Sequence, residues 1–283
     1  LDDLDITIVD EDFSHFLGFT LPWVLRGWRE QGSVPIEPTV SALRGVNTVT
    51  GTVARIDHSA RLVTLVDGTE IAFDALIIAT GARNVIDKVP GLQDAVDAGI
   101  AVHYYSADAA ADAHAALERF AGGKLVFLVT SLPYRCPVAP YEGALLAADL
   151  LRDNGHRDTT DITVYTPEKQ PMPSAGPYAG LELVEMLGVN DIAFHGEHSV
   201  ERVDAERKII DFADGTTTEF DLLVFVPPHE PAVTLDGAGW IAVDTEMATG
   251  HPGIFAIGDT AAVNAESGRT VPKAAIFAKN DRR

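Results

Sequence analysis

Apolar and polar positions change their spacing along the chain in a way that separates element types. Residues 53–81 alternate with period two, break at Asp67-Gly68, alternate again and run into FDALIIATG (73–81). Alternation broken by Asp-Gly predicts a hairpin, and the short apolar run that follows predicts a buried parallel strand. Shifting the chain by 147 residues lays this stretch on 200–228 without a gap, with nine of 29 positions identical, Asp214-Gly215 at the turn and FDLLVFVPP (220–228) at the end. The unit is therefore an internal repeat. Upstream of its second copy come KLVFLVT (124–130), a helical run over 141–153 closed by Asn154-Gly155, and DITVYT (161–166). Strand, helix and strand in that order make a βαβ unit.

Upstream of the first copy only DITIVD (5–10) is present, matching DITVYT in pattern. The comparison predicts a fragment whose first copy lacks its opening strand, loop and helix, about 35 residues by the length of a βαβ unit. The fold expected is α/β, with two tandem Rossmann-like dinucleotide-binding domains, parallel sheets, β-hairpin or meander insertions and an incomplete first βαβ unit. Residues 1–106 and 245–283 are expected to form the first domain and 107–244 the second. A first βα turn is where a Gly-x-Gly-x-x-Gly loop brings backbone to a pyrophosphate, so the chain as it stands is expected to hold a dinucleotide weakly. Asp10, ending the ITIVD strand, is placed to accept ribose hydroxyls, or it simply opens the loop EDFSH.

Composition narrows the class. With 283 residues and 46% apolar content the chain can bury two cores, and no stretch approaches the roughly 20 apolar residues of a bilayer span. Forty-two acidic against 21 basic residues, a net charge of −21, oppose nucleic-acid binding through phosphate neutralisation. A single cysteine excludes a disulfide within these residues.

Three motifs carry chemistry. IIATGA (77–82) ends a buried strand in Thr80-Gly81, and HPGIFAIGDTAAV (251–263) delivers Gly258-Asp259, both at the sheet edge where such folds bind ligands. Glycine admits close backbone approach and the carboxylate accepts from a sugar-alcohol hydroxyl. The third is PYRCPVAPYE (133–142), which stands where the second dinucleotide fold would carry its glycine loop. Pro133, Pro137 and Pro140 stiffen it, Arg135 adds a cation, and Pro140 suits the first turn of a helix whose N-terminal field favours a thiolate at Cys136. The loop has no Gly-x-Gly-x-x-Gly and the next strand ends in Tyr165-Thr166-Pro167 instead of an acid, so both marks of a nicotinamide site are missing.

Through ITIVD, FTLPWV (19–24), ATGAR (79–83), YRCPVAPYE (134–142), VPPHEPA (226–232), GWIAVD (239–244), IFAIGD (254–259) and VPKAAIFA (271–278), the chain resembles the FAD-dependent pyridine nucleotide-disulfide oxidoreductases. The likeness is greatest to their sulfide:quinone oxidoreductase and flavocytochrome c sulfide dehydrogenase branch. The resemblance implies FAD, with Asp10 on the ribose, the Val53 backbone at the adenine, Thr80 and Gly81 beside the diphosphate, Gly258 and Asp259 at the ribityl chain, and Pro22 against the isoalloxazine. Pro272 and Lys273 would begin a helix aimed at the flavin, where a positive field stabilises the reduced anion. Bland readings exist for each: a core valine at 53, a turn proline at 22, a solvent-facing Lys273.

The same resemblance casts Cys136 as a redox cysteine and Glu142, in a Cys-x5-Glu spacing, as proton acceptor for sulfide or the thiol, unless Glu142 only caps its helix. In the family two cysteines oxidise a small inorganic sulfur substrate and pass two electrons to FAD. The second cysteine commonly lies beyond the region this chain covers, and HYYSAD (103–108) lacks the third cysteine of some members. His103 and His195 read as surface or satisfied core residues. Electrons are expected to leave to a quinone. The alternatives are a haem subunit, as in the flavocytochrome type, an NADH-dependent quinone or disulfide reductase, or a degenerate flavoprotein without catalysis. A cytoplasmic or peripheral inner-membrane location fits the first, through C-terminal elements not present here, and a periplasmic one the flavocytochrome type.

Overall fold

The computed structural model describes residues 4–39, 42–237, 239–263 and 271–274. The chain folds as two compact units built from separated stretches: 1–16, 35–83 and 230–283 form one, 17–34 and 84–229 the other. Against the ranges expected from sequence, 17–34, 84–106 and 230–244 sit in the opposite unit. The reasons are local. Strand Ala101–Val102 joins the sheet of the second unit beside Leu222–Val226, and strand Ile241–Val243 pairs with Ala261–Val263 in the first. Residues 17–34 carry helix α1 (Leu21–Arg26), which packs in the second unit.

The second unit has a five-stranded parallel sheet in the order Ala101–Val102, Leu222–Val226, Gly123–Val129, Thr160–Tyr165, Ile192–His195. Every residue of Leu222–Val226 is buried, as its unbroken apolar run requires of a strand covered on both faces. Beyond α1 its helices are α2 (Leu92–Asp97), α3 (Ala107–Arg119), α4 (Ala139–Asp153) and α5 (Pro177–Val189). Ser106 caps α3, its hydroxyl accepting from the Ala109 amide at 3.3 Å. In α4 the buried positions Tyr141, Ala144, Ala147, Ala148 and Leu151 recur every three or four residues, the stripe of a helix laid on a sheet. The α1 packing rests on buried Arg26, which donates to Asp149 at 2.7 Å and to Asp153, both on α4.

The internal repeat is reproduced in backbone detail. Val53–Asp57, Leu62–Leu65 and Glu70–Ala72 form an antiparallel three-stranded piece, as do Val200–Asp204, Ile209–Phe212 and Thr217–Glu219. Both shift register at the same place, between Val53 and Arg55 and between Val200 and Arg202. Both place a left-handed residue in the tight turn, Arg61 and Lys208 at φ 54°, and both close Asp-Gly with glycine at φ 89° and 83°.

The copies diverge at their last strand. In the first unit, among the described residues, Leu76–Ile78 pairs only with Ile254–Ala256, and Thr7–Asp10 only with Asn47–Thr50, as separate parallel pairs. The expectation of a buried strand holds for Ile78, 2% exposed, and fails for Ile77, 64% exposed, because no described element covers that face. The first unit's core is Ile56, Val63, Leu65, Ile78, Ile241, Val243 and Ile254, with Val53 packed against its edge. Among the described residues no helix is long and apolar enough to cross a membrane.

Candidate functional site

In the first unit, the register Leu76↔Ile254 to Ile78↔Ala256 brings two strand ends to one edge, and the Ile257 amide donates to Ile78 O at 3.0 Å. Each strand leads into a left-handed glycine, Gly81 at φ 65° and Gly258 at φ 70°. Nothing lies within 4 Å of where a Gly81 Cβ would stand, so glycine is set there by conformation and leaves backbone open to a ligand. Gly258–Thr260 forms a single 3-10 turn. Thr260 is fully buried and its hydroxyl has no partner among the described residues. Open glycine backbone, the Asp259 carboxylate and an unsatisfied hydroxyl at one carboxyl edge form a donor and acceptor set that fits a dinucleotide.

Lys273 is drawn into this edge. Its Nζ donates to the carbonyls of Asp259 (2.7 Å) and Ala261 (3.1 Å) and lies 3.6 Å from the centre of the Trp240 ring. Burial lowers its pKa to about 8, with the Asp259 charge opposing the shift. The solvent-facing alternative is thus excluded. The helix expected to begin at Pro272 and Lys273 does not start there, since residues 271–274 are extended or irregular, and 275–278 lie outside the described residues. Pro272 itself is half-buried, its carbonyl accepting from the Ala274 amide at 2.9 Å.

Asp10 ends its strand as expected, and its carboxylate is engaged locally. Oδ1 accepts from the amides of Phe13 (2.9 Å) and Asp12 (3.2 Å), and Oδ2 lies 2.8 Å from His15 Nε2. Burial pushes this carboxyl up, and the hydrogen bonds with His15 outweigh it and hold the pKa below its ordinary value. Val53 contributes its side chain to the core edge and its backbone to the hairpin with Leu65. Thr80 is exposed beside Gly81, whose carbonyl accepts from Ala232 at 3.2 Å.

Cys136 and Glu142 lie in the second unit, in the loop after strand Gly123–Val129 and the first turn of α4. Cys136 has φ 60°, a left-handed conformation rare for a residue with a side chain, and its carbonyl accepts from the Ala139 amide at 3.0 Å to start the helix. Tyr104 ties the two together. Its buried hydroxyl donates to Ala139 O at 2.6 Å, and burial with the charges of Cys136 and Glu142 raises its pKa well above the ordinary value. Gly143 makes room for it: a Cβ there would stand 2.4 Å from the Tyr104 hydroxyl. Glu142 is half-buried, and burial raises its pKa. Tyr105, within electrostatic reach of Cys136, is buried with no partner for its hydroxyl among the described residues. Arg135 turns to Asn84 Oδ1 (2.8 Å) and Tyr105 O (3.2 Å). Pro22 belongs to this unit as well, buried in the first turn of α1 as a helix-starting proline.

The Cys136 loop is anchored by a residue the sequence does not advertise. Glu168, buried three residues past strand Thr160–Tyr165, lies 2.6 Å from the Tyr141 hydroxyl, 2.9 Å from that of Tyr134 and 3.3 Å from Thr166 Oγ1. Burial raises its pKa against these three bonds. The acid absent from the strand end is thus present three positions later and turned inward. The only sequence sign is Glu168 directly after Tyr165-Thr166-Pro167. His103 is a satisfied core histidine, accepting from the Tyr105 amide at 3.2 Å, with burial and Arg135 lowering its pKa to about 4. His195 stacks on Tyr165 with ring centres 4.8 Å apart.

The sequence pattern described as pyridine nucleotide-disulphide oxidoreductase matches residues 2–125 and 141–279, breaking across the stretch that holds Cys136. The mitochondrial sulfide:quinone oxidoreductase of Mus musculus is 25% identical over 308 residues, covering 98% of this chain and 66% of its own. That of Schizosaccharomyces pombe is 31% identical over 211 residues, covering 68% and 45%. The crystal structure of the Aquifex aeolicus sulfide:quinone oxidoreductase superposes with a TM-score of 0.78 at 19% identity over 93% of this chain and 64% of that one, a likeness of fold. The chain spans about two thirds of the mouse relative and under half of the yeast one. With its doubled hairpin unit, paired strand-end glycines and two α/β units, the chain belongs to the pyridine nucleotide-disulphide oxidoreductase family, whose members are FAD-binding flavoproteins.

Proposed function

We propose that the chain belongs to an FAD-dependent enzyme that oxidises sulfide, or a related small sulfur anion, at Cys136 and delivers two electrons through the flavin to a quinone. The observation that carries this reading is the loop after strand Gly123–Val129. Where a nicotinamide fold needs glycines it holds a cysteine at φ 60°, at the mouth of α4.

FAD, when bound, supplies the two-electron acceptor. Gly81 and Gly258 give it backbone access, Asp259 an acceptor and Thr260 a donor. Lys273 holds the Asp259 carbonyl and adds positive charge on the same edge. Cys136 is the sulfur nucleophile, and Glu142, its pKa raised by burial, takes the proton that hydrosulfide or the thiol releases. Balance would be kept by formation of a bond between Cys136 Sγ and the substrate sulfur with loss of two protons, one of them to Glu142, while bound FAD would supply the acceptor for the two electrons on their way to the quinone. Glu168 supports the exclusion of NADH as donor: the carboxylate that would meet a ribose is bonded to Tyr134 and Tyr141 instead. A quinone acceptor implies peripheral contact with a membrane.

The test is anaerobic addition of sulfide to the FAD-loaded protein. Bleaching of the flavin by sulfide and not by NADH is the result expected. Bleaching by NADH with no response to sulfide overturns the reading.

A further inference from the structure

Three segments of the first unit meet at a cluster unrelated to the flavin edge. His58 opens the turn between strands Val53–Asp57 and Leu62–Leu65, Asp236 lies in the loop before strand Ile241–Val243, and His251 lies in the turn before strand Ile254–Ala256. The imidazoles stack with centres 3.8 Å apart at 21°, and both present Nε2 to one carboxylate. His251 Nε2 is 2.8 and 2.9 Å from the two Asp236 oxygens, and His58 Nε2 is 3.6 Å from Oδ1. One ligand atom from each residue lies within 4.8 Å of the others.

We propose that His58, Asp236 and His251 form a binding site for a divalent borderline metal ion of the Zn2+ class, with one coordination position left to water. The spacing is that of a ligand set. Tetrahedral zinc with bonds of about 2.0–2.1 Å separates its ligand atoms by about 3.3–3.4 Å, and the observed nitrogen–oxygen distances of 2.8 to 3.6 Å bracket that edge. At 3.6 Å His58 is too far from Asp236 for a hydrogen bond, so hydrogen bonding alone does not account for its orientation. The far side of His58 is supported: Nδ1 lies 3.3 Å from Ser59 Oγ, the outer contact that leaves Nε2 for a metal. His251 is held by its own turn, its amide donating to Thr249 Oγ1 at 3.1 Å and its carbonyl accepting from Ile254 at 3.1 Å.

Two imidazoles and one carboxylate select zinc, cobalt, nickel or copper over magnesium or calcium, which prefer all-oxygen sites. Entry is open, since the Asp236 side chain is 60% exposed. Two cations of the same segments are engaged elsewhere: Arg61 bonds the carbonyls of Asp74 and Pro252, and Arg55 bonds Asp57 at 2.9 Å. Because His251 begins the turn into Ile254–Ala256, an ion here would clamp the hairpin to the strand that delivers Gly258 and Asp259.

The test uses the chelator-stripped chain titrated with Zn2+ by calorimetry, with Mg2+ as control and Co2+ absorbance as a coordination signature. The expected result is one Zn2+ per chain, no Mg2+ heat, and intense visible Co2+ bands of a four-coordinate site. Affinity should fall about tenfold or more in both His58→Ala and Asp236→Asn, and Cys136→Ser should leave it unchanged. Asp236→Asn, an exposed position, keeps the test valid if a histidine variant folds poorly. Absence of stoichiometric zinc binding, equal binding by Asp236→Asn, or loss of binding in Cys136→Ser overturns the proposal.

Discussion

Replacing Glu168 by leucine removes the acceptor that Tyr141 and Tyr134 share, and the consequence follows from the geometry. Tyr141 is fully buried and its hydroxyl loses its main acceptor, Glu168 at 2.6 Å, keeping only its contacts with Thr166 and Tyr134, whereas the Tyr134 hydroxyl retains Pro137 O at 3.2 Å. A buried hydroxyl that loses its main acceptor costs about 1–3 kcal/mol. Losing the Tyr134 contact adds about 1 kcal/mol, and releasing a buried carboxyl returns part of the sum. A net loss of about 2–3 kcal/mol is expected for Glu168→Leu and about 1 kcal/mol for Tyr141→Phe. In the double variant no hydroxyl remains on residue 141 to lose that acceptor, so the cycle should show a coupling of about 1–2 kcal/mol. Urea unfolding followed by tyrosine and tryptophan fluorescence reads the three variants against the parent. Since Tyr134 precedes Cys136 by two residues, alkylation of this single cysteine in native protein should also quicken in Glu168→Leu. Additivity of the two substitutions to within about 0.3–0.5 kcal/mol, with unchanged alkylation, would refute the view that Glu168 holds the cysteine loop.

Glu142 has a folded pKa above its ordinary 4.5, so the folded chain holds the proton more tightly and stability falls as pH rises from about 4.5 through the folded value. Glu142→Gln should match the parent in acid and exceed it in urea midpoint above that window; equal midpoints throughout would remove the burial argument. Lys273 has the opposite sign: with its pKa lowered to about 8 from 10.5, the unfolded chain binds the extra proton, so stability rises between those pH values. Lys273→Met should lack that rise, and a parent curve flat from pH 8 to 10.5 relative to the variant would contradict it. Tyr104→Phe loses the 2.6 Å bond to Ala139 O, for about 1 kcal/mol, and should alter the pH profile of Cys136 alkylation. An unchanged profile would separate Tyr104 from the cysteine.

Much of the fold is legible because backbone conformation is written into local pattern. The 147-residue repeat predicted two hairpins, and they agree down to the register shift before Arg55 and Arg202 and the left-handed Arg61 and Lys208. Strand Leu222–Val226 is buried as its composition demands, whereas the similar Leu76–Ile78 leaves Ile77 exposed, since a strand's own residues do not specify what lies over it. The placement of Gly81, Gly258 and Asp259 just past strand ends was readable because glycine directly after an apolar run marks where a strand stops. Glu168 and Tyr104 were not, because both act through contacts made by residues distant in the chain, Tyr134 and Tyr141 for one and Ala139 for the other. The His58, Asp236 and His251 cluster was hidden for the same reason: its members are 178 and 15 residues apart in sequence.

The central claim is that Cys136 passes electrons from sulfide to the flavin. Rapid mixing of sulfide with FAD-loaded protein and with its Cys136→Ser variant, under anaerobic conditions, tests it most directly. The account predicts bleaching in the parent and a rate lower by about a hundredfold or more in the variant, with the flavin content unchanged. Equal bleaching of both proteins by sulfide would contradict it.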